Sequence, residues 1–514
     1  MIINGELDEV DKRKVVILGQ QSYDGASVNQ GFEVPSQSSL FGPYSVATNG
    51  SKFIVADKWN NRVLIWNTFP KENNQKADLV LGQNNFSTKD VNRGRDDTTA
   101  TGLNQPASVL LMGEKLLIAD SFNNRILIYN SIPETNNPVP DVVIGQENFI
   151  SGSTNQGGSV GANTLNFPYQ LATDGTKLAV ADMSNNRVLI WNNVPNENNV
   201  AADVVIGQND FLSSSSGTSS MALNFPGVVS FINGKIFVGD YLNHRFLYWD
   251  NIVASGPMGE ASGVIGQSDF TSDGQNSGDV NPSDNGFFFP SDIFFESIDE
   301  YYITDSLNNR VLKFSENVKG DGSDKASNVF GQDSFNKSGN NRSVVSAKSL
   351  DGPTCLASNE KYLIIGDARN SRVLIYDKFK IDEGAKVVIG HNDFYTGRSF
   401  NCASYSACPE PTASNLDFIG GCALDPDGRL YISDTNRNRI LVYNSIPIEN
   451  GASADFVLGQ NNFSSKTENS GESGYSKLKA PMALHVNDGK LFAIDRRNRR
   501  GLISGETKLT MTHA

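Results

Sequence analysis

The side chains best able to do chemistry in this chain recur in register. An Asp and an Arg five positions apart bracket a short turn at Asp57/Arg62, Asp120/Arg125, Asp182/Arg187, Asp240/Arg245, Asp305/Arg310, Asp367/Arg372, Asp434/Arg439 and Asp495/Arg500, with successive copies 58 to 67 residues apart. A carboxylate in a tight turn can accept backbone N–H groups and pair with the fork of a half-buried arginine, which would hold two strands in register. A pair present in every copy predicts fastening, since a catalytic group is needed once. The four histidines, His244, His391, His485 and His513, have no metal-ligand spacing. Neither a Gly-x-Ser-x-Gly elbow nor a phosphate-binding glycine loop is present. His391 stands where the other copies have Gln, and a structural substitution is expected. Cys402 and Cys408 share one loop and read as a disulfide, with two free thiols as the alternative. Cys355 and Cys422 sit in apolar runs and read as buried thiols.

Binding chemistry is expected where the copies differ. Arg369, Arg437, Arg496, Arg497 and Arg499 add charge to three successive turns. Such a basic arc could grip a carboxylate, sulfate or phosphate on a partner protein or polysaccharide. Asp269, Asp273, Asp279 and Asp284 make an acidic loop that could take calcium, although calcium-loop spacing is absent. Trp59, Phe122 and Tyr241, with Met183, Leu242 and Leu307, occupy turn positions where they would stack on sugars or cover neighbouring loops. Solvated surface charge is the competing account of both charged groups.

The elements that must position these residues follow from the repeat itself. Each copy holds four short runs, such as residues 43–49, 52–57, 62–67 and 77–83, rich in β-branched and aromatic residues. Runs such as Leu116-Leu117-Ile118-Ala119 do not alternate, so both faces of each sheet must be covered. The fourth run ends in Gly-Gln, and an aromatic residue follows three positions later at Tyr23, Phe86, Phe149, Phe211, Phe270, Phe335, Phe394 and Phe463. It is expected to plug the gap between sheets, with Gln satisfying backbone groups. The last copy lacks a fourth run, and Val15-Val16-Ile17-Leu18-Gly19-Gln20 supplies one. The expected fold is all-β: a single eight-bladed β-propeller of four-stranded antiparallel blades, closed by the N-terminal strand. It spans residues 15–504, with an extension at 1–14 and a tail at 505–514.

The run Asp182-Met-Ser-Asn-Asn-Arg-Val-Leu-Ile-Trp191 resembles the NHL-repeat family of β-propellers, and the resemblance covers residues 15–504. It implies a fold used by RNA-binding, protein-binding, lyase and architectural proteins. Lyases of that kind hold a metal with histidines, which this chain does not offer in suitable spacing. With 57 acidic against 43 basic residues, nucleic acid is a disfavoured partner. No apolar stretch approaches the roughly 20 residues of a membrane helix. The expectation is a non-catalytic binding or scaffold module without cofactor, recognising a protein or glycan, anionic or not, through its loop-bearing face. It would be a monomeric ring or part of a larger assembly. The alternative is a hydrolase or lyase, calcium-dependent or not, with its site over the central channel. A secreted or cell-surface location with the leader absent from this chain is expected, with the cytoplasm as the alternative.

Overall fold

A computed structural model describes residues 15–18, 28–70, 72, 74–232, 234–267, 269–288, 290–297, 300–315, 325–397, 409–460, 462–466, 478–487, 490–495 and 500–504. These residues build eight sheets on a core of four antiparallel strands each; the strands run in sequence order from the inside outwards except in the last sheet, and a short parallel strand adds a fifth to the third. Blade 1 is Pro43–Thr48, Phe53–Asp57, Arg62–Trp66 and Leu79–Leu81; blades 2 to 7 follow in chain order. In blade 8, Val15–Ile17 pairs antiparallel with Arg500–Ser504, so the first strand of the chain completes the last sheet.

Both faces of the blades are buried, as the non-alternating runs require. In blade 1, Ile54, Ala56, Val63, Ile65 and Leu81 pack against blade 2, while Phe53, Val55, Leu64, Trp66 and Val80 face the other way. Eight apolar clusters result, one for each junction between neighbouring sheets. The cluster on the far side of blade 1 contains Leu18, which follows directly on the closing strand. Among the described residues, the closing strand and Leu18 thus join the last sheet to the first, which closes the propeller. The aromatic residues after Gly-Gln, from Phe86 to Phe463, each join one of these clusters, as expected. Tyr23 lies outside the described residues.

The Asp–Arg pairs do fasten the blades. Nε of Arg62 and of Arg125 lies 2.8 Å from Asp57 and Asp120. Arg187, Arg245, Arg310, Arg372 and Arg439 stand 2.7 Å from Asp182, Asp240, Asp305, Asp367 and Asp434. Their depth corrects the expectation of half-buried arginines. All seven arginine side chains, like their carboxylate partners, have no exposed surface, so none of them can meet a ligand.

Such burial is tolerable because the rest of each guanidinium is also engaged by protein acceptors. In every case Nη1 donates to the carbonyl of the aromatic residue after Gly-Gln, at 2.5–2.8 Å. Arg62 takes Phe86, Arg125 takes Phe149 and Arg187 takes Phe211. Arg245 takes Phe270, Arg310 takes Phe335, Arg372 takes Phe394 and Arg439 takes Phe463. Nη2 reaches the loop before the first strand, as in Arg187 to Gly161 and Thr164 at 2.9 and 2.8 Å. Asp182 in turn accepts the Asn166 N–H at 2.7 Å and Asn185 Nδ2 at 2.8 Å. Burial pushes the Asp182 carboxyl upward, and Arg187 with these donors opposes that push. One pair thus ties the turn, the loop after Gly-Gln and the loop before the first strand to one end of the ring. The side chains of Asp495 and Arg500 lie outside the described residues.

The inner strands carry a second correction to the sequence reading. Cys355 and Cys422 are not thiols: they form a disulfide across 67 residues, with their Cα atoms 5.8 Å apart. The two cysteines lie in the first strands of blades 6 and 7 one register apart: Cys355 pairs with Gly366, next to the turn Asp367, and Cys422 with Ile432, two residues before Asp434. Cys402 and Cys408 lie outside the described residues.

Candidate functional site

Most of the recurring polar residues are consumed by architecture. Gln83 Nε2 donates to the carbonyls of Asn61 and Asp90 at 2.9 and 2.8 Å. His391 does the same work, its Nε2 lying 3.0 Å from the Asn370 carbonyl, and burial lowers its pKa. The last turn residue before Arg is left-handed, as at Asn61 with φ 52°. Its amide stitches two blades: Asn61 Oδ1 accepts the Gln105 N–H at 2.8 Å, and Nδ2 donates to Lys89 O at 2.9 Å.

Two asparagine systems escaped the sequence reading. Asn29, Asn92, Asn155, Asn276 and Asn341 each stand nine positions after a Gln and bond the turn asparagine, as Asn92 does with Asn123 at 2.7 Å. That interval was visible in the sequence. The second system covers outer edges. Asn136 Oδ1 accepts the Val80 N–H at 2.9 Å, and Asn137 N donates to Val80 O at 3.0 Å, so a blade 2 loop caps the edge strand of blade 1. Asn198 and Asn199 cap Val143 likewise, Asn450 and Gly451 cap Val388, and Gly256–Pro257 pairs as a fifth, parallel strand on blade 3.

The charged candidates are not gathered as the sequence suggested. Arg437 is buried, donating to Asn415 Oδ1 at 2.5 Å and Pro409 O at 2.9 Å, so it does not present its guanidinium to a ligand. Its position is that of the turn asparagine in the other blades, which explains the burial. Arg369 is half exposed, 3.6 Å from Asp351. Arg496, Arg497 and Arg499 lie outside the described residues. Asp269 turns back on its own loop, accepting from the backbone and hydroxyls of Thr271 and Ser272 at 2.7–3.0 Å, and these bonds hold its pKa below the usual carboxylate range. Asn85, Asn148 and Asn462 make equivalent bonds in other blades, so Asp269 belongs to the repeat. Asp284 pairs with Lys325 at 3.1 Å, and Asp273 and Asp279 are exposed. Among the described residues, no group of three or more His, Cys, Asp or Glu side chains could hold a metal ion.

The aromatic candidates are brought together, with partners the sequence did not single out. Trp59 sets the Cδ1 edge of its indole against Gly42, so close that a Cβ there would meet the ring at 1.9 Å; the left-handed φ of +67° also favours glycine. Phe122 of blade 2 packs edge-on against Phe167 of blade 3, centroids 5.1 Å apart, and Phe167 lies 5.9 Å from Tyr169. Tyr169 meets Tyr44 of blade 1 edge-on at 5.8 Å, and their hydroxyls hydrogen-bond. Between these first-strand tyrosines blade 2 has the small Ala107, which lets them touch across it. Lys58 Nζ sits 4.1 Å from the Tyr44 centroid, 5.7 Å from that of Tyr169 and 5.9 Å from that of Trp59. No carboxylate among the described residues pairs with it. Burial lowers the Lys58 pKa and raises that of Tyr44. Tyr44, Trp59 and Phe122 remain 49%, 50% and 47% exposed. Tyr241, 64% exposed on blade 4, makes none of these ring contacts.

No protein-family model matches the chain, and no curated protein matches it. Similar solved structures include BamB from Moraxella catarrhalis, at 10% identity over 90% of this chain and 97% of that one, with a TM-score of 0.43. Virginiamycin B lyase from Staphylococcus aureus aligns at 10% identity over 96% of this chain and 99% of its own, TM-score 0.36. The computationally designed Ika8 protein aligns at 8% identity over 96% and 100%, TM-score 0.44. Identities and scores at this level carry no function across; the propeller assignment rests on the eight sheets and their closure.

Proposed function

We propose that this protein is a non-catalytic binding or scaffold module built of NHL-like repeats, recognising a glycan or partner protein with the turn-bearing end of its ring. The observation that carries this reading is the continuous aromatic corner of blades 1 to 3, where Tyr44, Trp59 and Phe122 stay about half exposed while touching one another's neighbours. Large apolar rings held open by packing beneath them suit recognition. The repeated Asp, Arg, Gln and Asn side chains are spent on holding blades together, which leaves the departures from the repeat to make contacts. The Cys355–Cys422 bond supports a secreted or cell-surface location, since structural disulfides persist in oxidising compartments. Glycan and peptide arrays probed with the intact chain and with a Trp59→Ala/Phe122→Ala variant test the proposal. Binding that the double variant loses while keeping its melting temperature is the expected result; binding that it retains in full refutes this surface.

A further inference from the structure

Resting on the binding function just proposed, we infer that the aromatic corner takes a sugar bearing a carboxylate, with Lys58 receiving the carboxylate and the Trp59 face receiving the sugar ring. Lys58 stands at a variable turn position, which is Met183, Tyr241 and Ala368 in blades 3, 4 and 6 and a hydroxyl residue in blades 2, 5 and 7. At its turn position, Ser121, Ser306 and Thr435 donate to the carbonyls of Pro168, Pro353 and Pro481 in the next blade at 2.5–2.6 Å. Blade 1 instead places an ammonium there, 7% exposed as a residue and without a counter-charge among the described residues. Sequestering a cation in this way is costly, and aromatic faces offset only part of the cost. An incoming carboxylate would complete the site.

The surrounding groups fit the rest of an acidic sugar. In the Tyr44–Tyr169 hydroxyl pair one phenol donates to the other, which leaves the second proton free for a ligand oxygen. Burial raises the Tyr44 pKa, so that proton is retained. Gln105 occupies in blade 2 the position of Gly42 in blade 1 and Phe167 in blade 3, and its carboxamide has no hydrogen-bond partner among the described residues. Flat ring faces beside unused hydroxyl and amide groups match a pyranose, which has an apolar C–H face and polar edges. Addition of a peptide as an extra strand is disfavoured at blades 1, 2, 3 and 6, whose outer edges are covered by neighbouring loops. The formal charge of −14 disfavours a dense polyanion, so a short or sparsely charged saccharide is the expected ligand.

Isothermal titration of the full chain with trigalacturonate, 3′-sialyllactose and fully methyl-esterified trigalacturonate tests this. At least one acidic sugar should bind, and Lys58→Met should weaken it about tenfold or more, the effect of losing one partly buried ion pair. Trp59→Ala should weaken it comparably. If trigalacturonate is the ligand, its methyl ester should bind correspondingly worse. Affinity should also fall as pH rises through the Lys58 pKa, which lies below the ordinary lysine value. Should Lys58→Met fail to fold, the methyl ester and pH comparisons on the unaltered protein, or the desialylated sugar for sialyllactose, carry the test. Failure of both acidic sugars to bind, or equal affinity with and without the carboxylate, overturns the inference. If neutral glycans or peptides then bind in a Trp59- and Phe122-dependent way, the acidic-sugar assignment falls while the binding function stands. If nothing on the arrays binds either, both fall.

Discussion

Removing the carboxylate of Asp182 gives the most direct measure of how the ring is held together. Asp182→Ala would leave Arg187 fully buried with its Nε proton unpaired, and would strand the Asn166 N–H and one Asn185 amide proton. Breaking a buried, hydrogen-bonded pair from one side typically costs about 3–5 kcal/mol. Asp182→Asn preserves the volume but offers an amide where Arg187 Nε and Asn185 Nδ2 both need an acceptor, so its loss should approach that of alanine. If all 514 residues unfold as one unit, an entropy of about 2.1 cal/mol/K per residue totals about 1.1 kcal/mol/K, and the melting temperature falls by about 3–5 °C. A larger drop with early amide exchange confined to blade 3 would mean that blades open separately. Urea denaturation and calorimetry read the change. A loss below about 1 kcal/mol for both variants would refute the fastening role.

Gly42→Ala should displace the Trp59 ring, because the new methyl would meet it at 1.9 Å, and should reduce ligand binding as Trp59→Ala does; a heteronuclear NMR shift of the Trp59 indole checks the displacement. Reducing Cys355–Cys422, or replacing both by Ser, should destabilise the ring by about 4 kcal/mol on loop-entropy grounds, read by calorimetry with and without reductant. Asp269→Asn should leave stability at neutral pH nearly unchanged, since Asn85 and Asn148 make the same turn in other blades, and chelation should not alter the melting curve. The Asp269 pKa is lowered in the folded state, so its contribution is present above the unfolded pKa and disappears as pH falls through the folded one; an NMR pH titration should place it below the ordinary aspartate range.

Much of the architecture was legible because it is periodic. The Asp182/Arg187 spacing forces a tight turn between two strands, and unalternated runs such as Ile126-Leu127-Ile128 demand cover on both faces. The aromatic at Phe149 and the Gln at Gln146 recur at fixed intervals, and the structure gives each the junction-filling and backbone-bonding role expected of it. How deep the arginines sit was not legible, because the carbonyls that saturate Arg125, at Phe149, Thr99 and Gly102, come from loops 23 to 26 residues away on either side. The candidate site was only half legible. Trp59 and Phe122 stood out as rings at turn positions. Lys58 carries no signal in its local sequence that sets it apart, and Tyr44 and Tyr169 lie 125 residues apart with nothing in either local sequence to pair them. Arg437 misled for a related reason: an arginine at an asparagine position reads as surplus charge, yet its length lets it reach Asn415 and Pro409 inside the loop.

By itself the sequence determined the number and kind of sheets, the closure of the ring by residues 15–17, and the fastening role of its repeated polar residues. Each of these depends on hydrogen-bonding and burial rules that act over a few neighbouring residues and then repeat. Tertiary structure alone decided which side chains meet across a blade junction. Cys355 reaches Cys422, Asn136 reaches Val80, and Lys58 comes to rest among Tyr44, Trp59 and Tyr169, because radial packing sets neighbours by angle around the ring and not by distance along the chain.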